Sequence, residues 1–492
     1  MRLHFSFIFI ILALFFTPSS SRAARSLYLG LTGADVKILQ EKLITLGYLA
    51  EGKNTGYFGA LTASALKKFQ CEQKIVCSGL GYGIYGPKTQ SSLALAADFP
   101  KNPATLSTAL TPKATGQFEI SGWIPYWRSA TGTQDALNHL TQFKSIMPFG
   151  YTVKLNGTLS DTAKLTEEPW LSFIAAARKA GVRIIPTVMW GGGESIHRIL
   201  SNPETRVALE NEIANTVKAN GFDGIDIDFE AKERETINYF STFLKGLYAR
   251  MGNKWVYCTV EARMPLEHRF SPGATIPPDA ADYANDYIAL NKYCDRVEIM
   301  AYDQGTIDIS LNAVKTAPYA PVADPGWVEA LIRLAARTIS RNKLIIGIPT
   351  YGYEYLVTPL PAQAGQANAS YQYKVLWPFN PTYAADIASK LGITIGRSSA
   401  NEPAFSYDPA MLQPAPAGTD ATGLQQTVSS TTVAQNANAL SIFVRAPFNY
   451  ITWSDAAAIK EKIDLARRLG VRGVAIFKID GGEDPAMWSV LK

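Results

Sequence analysis

Between residues 118 and 477 one pattern recurs eight times: a short apolar, β-rich run, then a longer stretch with apolar residues three and four apart. The runs occupy 118–124, 143–151, 182–189, 222–229, 255–260, 296–301, 344–349 and 471–477. Helical stretches such as 170–180, 204–220, 237–251, 327–341 and 455–469 lie between them. Runs that are apolar nearly throughout suit strands buried on both faces, and parallel strands need a long connection of this kind. Eight such units read as an α/β fold, a (β/α)8 TIM barrel, whose functional groups gather at the C-terminal ends of the strands. A doubly wound open sheet is the alternative, but its glycine-rich phosphate turn after the first strand is missing. Trp190-Gly191-Gly192-Gly193 after the third run reads as a tight turn with close backbone approach. Residues 355–450 separate the seventh run from its helix and are too many for a βα loop. They contain a helix-like 380–391, a strand-like Ile393-Thr394-Ile395 and a low-complexity run over 414–432, and are expected to form a small α+β insertion walling one side of a cleft.

The fourth run carries the chemistry. In Asp223-Gly224-Ile225-Asp226-Ile227-Asp228-Phe229-Glu230 the acids alternate with apolar residues, so one strand face holds Asp226, Asp228 and Glu230. At ~3.3 Å of rise per residue, neighbouring carboxylates start roughly 6.6 Å apart. No basic residue within the strand offsets their repulsion, whereas a merely solvated face would show polar variety. The pattern predicts coupled acids whose pKa values drive one another apart.

Before the barrel, residues 1–24 read as a secretory signal: Arg2, an apolar run over 5–16, then Ser21-Arg22-Ala23 as a small-x-small cleavage site. The run is short of the ~20 residues that span a bilayer, so export is expected, with an uncleaved anchor as the alternative and no membrane span after cleavage. Outside the cytoplasm, Cys71 and Cys77 are candidates for a disulfide. Cys258 and Cys294 either pair or stay as buried thiols on neighbouring strands, and the thiol reading is favoured. The four His are scattered without metal-ligand spacing, so neither a metal nor another cofactor is expected. A net charge of +5 without a dense basic tract argues against nucleic acid and suits weak attraction to an anionic polymer such as a cell wall. The chain is expected to act as a monomer.

Residues 25–96 hold two helical stripes, Val36, Leu39, Leu43, Leu46 and then Leu61, Ala65, Leu66, Phe69, before a third short helix. The turn Gly56-Tyr57-Phe58-Gly59-x-x-Thr62 is echoed by Gly83-Ile84-Tyr85-Gly86-Pro87-x-Thr89. With Gly33, Leu39-Gln40, Leu46-Gly47-Tyr48 and Phe69-Gln70, this small all-α three-helix segment resembles the peptidoglycan-binding domain of secreted wall hydrolases. The resemblance implies wall targeting; an uncommitted helical spacer is the alternative. Pro- and Thr-rich residues 97–117 read as a linker to the barrel domain, 118–492.

Asp223-Gly-x-Asp226-x-Asp228-x-Glu230 on a fourth barrel strand resembles the signature of family 18 glycoside hydrolases, the chitinase-like enzymes. Met300-Ala301-Tyr302-Asp303 after strand six and Gly347-Ile-Pro349-x-Tyr351-Gly352 after strand seven are similar to that family's further motifs, and the C-terminal Gly473-Val474-Ala475 to Gly482-Glu483-Asp484-Pro485 to its wall N-acetylglucosaminidase branch. The resemblance implies that Glu230 is the general acid and then the base. Asp228 orients the substrate's acetamido group, Tyr302 hydrogen-bonds the acetamido oxygen, and Asp226 shares a proton with Asp228. Retention follows from attack by the sugar's own acetamido oxygen, the substrate-assisted exception to the two-carboxylate scheme. Met300, Asp303, Trp190, Tyr351 and Phe477 are candidate substrate-binding residues; Asp303 alternatively caps a loop, and the aromatics alternatively pack the barrel. Phe477 stands where the family usually carries Trp, and Lys478 beside it is also unusual.

The expected partner is therefore a glycan with β-1,4-linked N-acetylglucosamine: peptidoglycan given the first domain, with chitin as the alternative. A barrel that binds carbohydrate without cleaving it is the other class, although the presence of Glu230 speaks against it.

Overall fold

The computed structural model describes residues 25–97, 110–360, 370–412 and 446–491, apart from 51, 74, 272, 278 and 281. The expected signal over 1–24, residues 98–109 of the expected linker and the low-complexity run 414–432 lie outside the described residues. The chain divides into two units, 1–102 and 103–492.

In the second unit eight strands pair in parallel and in chain order: Glu119–Pro125, Ser145–Val153, Thr187–Gly191, Gly224–Glu230, Trp255–Glu261, Arg296–Met300, Leu344–Pro349 and Gly473–Phe477. The last closes on the first, with Ser121 opposite both Ala475 and Ser145, so the barrel has no open edge. Period two decides which way each residue faces. On strand four Ile225, Ile227 and Phe229 point outward and are fully buried, Phe229 lying 5.3 Å from Phe243 and 5.9 Å from Phe240 of helix Ile237–Met251. The inward side chains include Trp123, Met147, Phe149, Ile185, Tyr257, Ile345 and Ala475, which pack as one cluster. Toward the strand starts, Arg296 donates to both oxygens of Glu119 at 2.6 and 2.8 Å, a buried bidentate pair.

After strand seven an antiparallel sheet runs in the order Ser370–Phe379, Gly352–Leu360, Phe448–Trp453, Pro403–Tyr407, Gly396–Arg397. Helix Pro381–Leu391 packs on it through Ala384, Ile387 and Ala388. This is the expected α+β insertion, anchored to the barrel unit by Glu402, whose buried carboxylate accepts from the Val322 and Ala323 amides at 2.8 Å. Ile393-Thr394-Ile395 is not a strand. Helix Pro381–Leu391 ends at left-handed Gly392, and the Ile393 amide then bonds back to the Ala388 carbonyl at 2.8 Å, which withdraws it from pairing.

Two further expectations are corrected. Cys258 and Cys294 are not buried thiols on neighbouring strands but a disulfide, with Cα atoms 6.0 Å apart. Cys258 faces outward on strand five, and Cys294 directly follows helix Tyr287–Tyr293 packed outside it, so the bond joins strand to helix. Residues 111–115 of the expected linker are laid on the barrel: the Thr111 amide bonds to the Ala336 carbonyl at 2.8 Å, that of Ala114 to Gly470 at 2.7 Å and that of Thr115 to Asn342 Oδ1 at 2.8 Å.

The first unit has helices Ala34–Thr45, Ala60–Glu72 and Pro87–Ala97 around Val36, Leu39, Leu43, Phe58, Leu66, Phe69 and Leu93. Its two related turns are held by two buried glutamines in the same way. Gln40 accepts from the Gly56 amide at 2.8 Å and donates to Thr62 Oγ1 at 2.9 Å. Gln70 accepts from the Gly83 amide at 2.7 Å and donates to Thr89 Oγ1 at 3.0 Å. Each amide thus pins the chain entering the next helix. Cys71 and Cys77 are disulfide-bonded at the end of the second helix. Among the described residues no helix is long and apolar enough to cross a membrane.

The Cys258–Cys294 bond closes a separation of 36 residues. Replacing both cysteines by serine should lower unfolding free energy by about 3–4 kcal/mol on the chain-entropy model. The check is the chemical denaturation midpoint of the oxidised proteins.

Candidate active site

The inward carboxylates of strand four occupy three depths. Asp226 is fully buried and fully satisfied: Trp123 Nε1 at 3.2 Å and Thr187 Oγ1 at 2.8 Å donate to Oδ2, and Thr259 Oγ1 at 2.9 Å donates to Oδ1. Burial pushes its carboxyl above the usual range, while these hydrogen bonds pull it back. Asp228, one step higher, is also buried, and its Oδ1 has no hydrogen-bond partner. Burial first, and then the charges of Glu230 and Asp226, drive its carboxyl well above the usual value. Glu230 ends the strand half-buried; burial and then Glu261 raise it, while Lys232 opposes them. Carboxylates this close cannot all ionise cheaply, so each raises the proton affinity of the next.

Tyr302 and Phe477 stack at 5.3 Å with planes 14° apart. Trp123, Phe149 and Tyr351 surround the Phe477 ring at 5.9, 6.4 and 6.1 Å. Gly347 makes room for this floor, because a Cβ there would lie 2.9 Å from the Tyr302 ring. Burial, with Asp228 and Asp303 nearby, raises the Tyr302 phenol, so it remains a donor. Met300 packs beside the Tyr302 and Tyr351 rings. Asp303 sits in the left-handed region at φ 62° and accepts from Tyr351 at 2.6 Å and Tyr353 at 2.9 Å.

Glu230, Asp228, Asp226, Tyr302, Met300, Asp303, Tyr351 and Phe477 are thus brought together, and Trp190 is not. Its ring packs at 5.2 Å against outward-facing Phe229, and its indole N–H donates to Ser195 Oγ at 3.0 Å. Register places Trp190 opposite Phe229, whereas inward Met189 is opposite Asp228 and joins the interior cluster. Asp223, at the strand base, accepts from the Ile184 amide at 2.8 Å. Lys478 turns to Asn380 Oδ1 at 2.9 Å and to Asp480, away from the stacked rings.

Sequence reasoning missed three titratable neighbours. Glu298, inward on strand six and fully buried, has Oε1 unpartnered and Oε2 3.3 Å from Thr259 Oγ1. The single Thr259 hydroxyl hydrogen already serves Asp226, so a protonated Glu298 that donates from Oε2 to Thr259 avoids two carboxylates competing for one hydrogen. Burial, and then the charge of Asp226, raises Glu298 well above the carboxylate range, in agreement with that arrangement. Its signal was the same period-two pattern in Arg296-Val297-Glu298-Ile299-Met300. Glu261, at the end of strand five, and Lys232, two residues past strand four, complete the set. Among the described residues no group of His, Cys, Asp and Glu could hold a metal ion.

The family model for glycosyl hydrolases family 18 matches residues 122–482, and a peptidoglycan binding domain model matches residues 32–93. The chain is 26% identical over 170 residues to the uncharacterized glycosylase YvbX of Bacillus subtilis, covering 33% of this chain and 43% of that protein. It is 26% identical over 303 residues to the cortical fragment-lytic enzyme of the same organism, covering 61% of this chain and 56% of that one. It thus spans about half the length of these relatives. The spore cortex-lytic enzyme SleL of Bacillus megaterium has the same fold, with a TM-score of 0.52 at 20% identity, covering 80% of this chain and 75% of SleL.

Glu298 gives the site a pH-dependent stability. The folded protein holds the Glu298 proton more tightly than the unfolded chain, whose glutamate titrates near ~4.3. Wild-type stability from this group is therefore full below that pH and declines as pH rises toward the folded value. Glu298→Gln cannot ionise, so it should gain stability relative to wild type from pH 4 to pH 8. Thermal melts of both proteins across that range check the sign.

Proposed function

Because the chain belongs to the glycosyl hydrolases of family 18, we propose that it cleaves β-1,4-linked N-acetylglucosamine in bacterial cell-wall peptidoglycan, with retention, Glu230 serving as acid and then base. The observation that carries this reading is the gradient along strand four, from satisfied, buried Asp226 to unpartnered Asp228 Oδ1 to half-exposed Glu230. A protonated Glu230 at the strand tip can give its proton to a leaving glycosidic oxygen. Asp228 Oδ1 lacks a donor, and the acetamido N–H of a bound sugar supplies one. As the acetamido oxygen attacks the anomeric carbon, that N–H gains positive charge and its bond to Asp228 tightens. Tyr302, stacked on Phe477, donates to the same acetamido oxygen and holds it below the anomeric carbon. When the leaving sugar departs, Glu230 is ionised and can take the proton from the incoming water.

The small unit favours peptidoglycan over chitin as the polymer, since the matching domain model is one for peptidoglycan binding. Export to the cell envelope, the signal over residues 1–24 and the monomeric state belong to the same proposal.

Glu230→Gln should reduce reducing-end release by roughly 10²–10⁴-fold on wall glycan. The assay includes chitin oligomers and fully N-deacetylated oligomers, and the latter should not be cut. An unaffected variant, or cleavage without an acetamido group, refutes the mechanism; cleavage of chitin alone moves the substrate to chitin. Removing residues 25–96 should weaken pelleting with insoluble wall sacculi while leaving cleavage of soluble oligosaccharides within about twofold. Undiminished pelleting would falsify the targeting role.

A further inference from the structure

Glu261 and Lys232 sit beside the strand-four carboxylates and form a connected arrangement. Glu261 ends strand five next to Glu230. Its Oε1 accepts from the Ala231 amide at 2.8 Å, and its Oε2 accepts from Asn285 Nδ2 at 2.7 Å and Lys232 Nζ at 3.4 Å. Ala231, directly after Glu230, is held at φ 55°, a left-handed conformation that disfavours a side chain. Its carbonyl meets Gly193, where a Cβ would come within 2.5 Å, so the peptide is gripped from two sides. Lys232 is a buried cation, its side chain 1% exposed, its ammonium bonded to the Phe229 carbonyl and 4.9 Å from the Phe240 ring centroid. A buried lysine is costly unless anions face it, and here Glu261, Asp228 and Glu230 all do.

We infer that Glu261 and Lys232 are positioning residues for Glu230: Glu261 fixes the left-handed turn that aims it, and the pair balances the charge in which its proton is held. This rests on the reading of Glu230 as the acid. The groups facing Glu230 are Glu261 from strand five, Asp303 and Tyr302 from the end of strand six, Asp228 from its own strand and Lys232 from the following turn. The Glu261 anion favours the protonated acid and the Lys232 cation favours the ionised one, so the two act with opposite sign. Burial works against ionisation of Glu261, yet Lys232 and the hydrogen bonds to its carboxylate hold it below the usual range, so it stays an anion while Glu230 keeps its proton.

The test is the pH profile of kcat/KM on a soluble glycan, measured on the full chain with Glu261→Gln, Lys232→Met and the double variant. The high-pH limb reports loss of the acid's proton. It should move to lower pH in Glu261→Gln, to higher pH in Lys232→Met, and back toward wild type when both charges are gone. A merely structural pair lowers activity without moving the limb. Glu261→Ala, which also loses the acceptor for the Ala231 amide, should lose roughly tenfold more kcat than Glu261→Gln, the worth of one buried hydrogen bond. If Lys232→Met does not fold, the direction of the limb in Glu261→Gln decides alone. An unmoved or oppositely moved limb in folded Glu261→Gln overturns the inference, while an inactive Glu230→Gln leaves the function standing. A wild type inactive on wall glycan and chitin oligomers overturns both.

Discussion

A carboxylate with no exposure, Asp226, sits in the barrel interior and accepts from three donors on three different strands. Unpaired, such a group would cost several kcal/mol. The donors are useful only if strands one, three and five arrive at one level, which a closed, evenly staggered barrel provides. Trp123, Thr187 and Thr259 therefore do two things at once. They fill the interior as core side chains, and they solvate the deepest acid so that the next one, Asp228, is left with an oxygen to spare.

The barrel separates polar tasks by depth. Near the strand starts, the Arg296–Glu119 pair satisfies itself through two parallel hydrogen bonds. Near the strand ends the carboxylates crowd one another, and Lys232 is the buried cation placed among them. Clustering like charges raises their proton affinity, whereas pairing opposite charges fixes ionisation. The same chemical groups thus make a matched ion pair at one end and a crowded row of acids with raised proton affinity at the other. The tyrosines follow that gradient: Tyr257 lies deep with Ser145, whereas Tyr302, Tyr351 and Tyr353 gather around Asp303 at the mouth.

What the sequence made legible was what period governs. Alternation in Ile225-Asp226-Ile227-Asp228-Phe229-Glu230 and the helical spacing between runs identified the barrel and the inward acids, because both depend on neighbours along the chain. Of the two readings open for Trp190, barrel packing holds for a related reason: parity on strand three makes Met189, not Trp190, the inward residue. Glu298 carried the alternating pattern and was legible in principle. Lys232 and Glu261 were not, since their meeting depends on a left-handed turn at Ala231 and on the stagger between two strands. The Cys258–Cys294 bond was hidden likewise, because it needs a helix laid against the outer face of strand five. Local period is written in the sequence, but the packing between periods is not.

The stacked pair of Tyr302 and Phe477 shows how such packing bears on chemistry. A hydroxyl keeps one direction only if its ring cannot swing, and Tyr302 is held by Phe477 on one face, by Tyr351 at its edge and by the bare backbone of Gly347 below. Phe477 is in turn wedged by Trp123, whose indole N–H is the donor to Asp226. The orientation of the phenol and the solvation of the deepest acid therefore share one side chain. An indole at position 477 would offer a wider face and an added N–H beside Trp123 and Phe149, whose rings lie 5.9 and 6.4 Å from that of Phe477. Phe477 and Trp123 therefore form one packed unit that holds the Tyr302 ring on one side and reaches the deepest strand-four acid on the other.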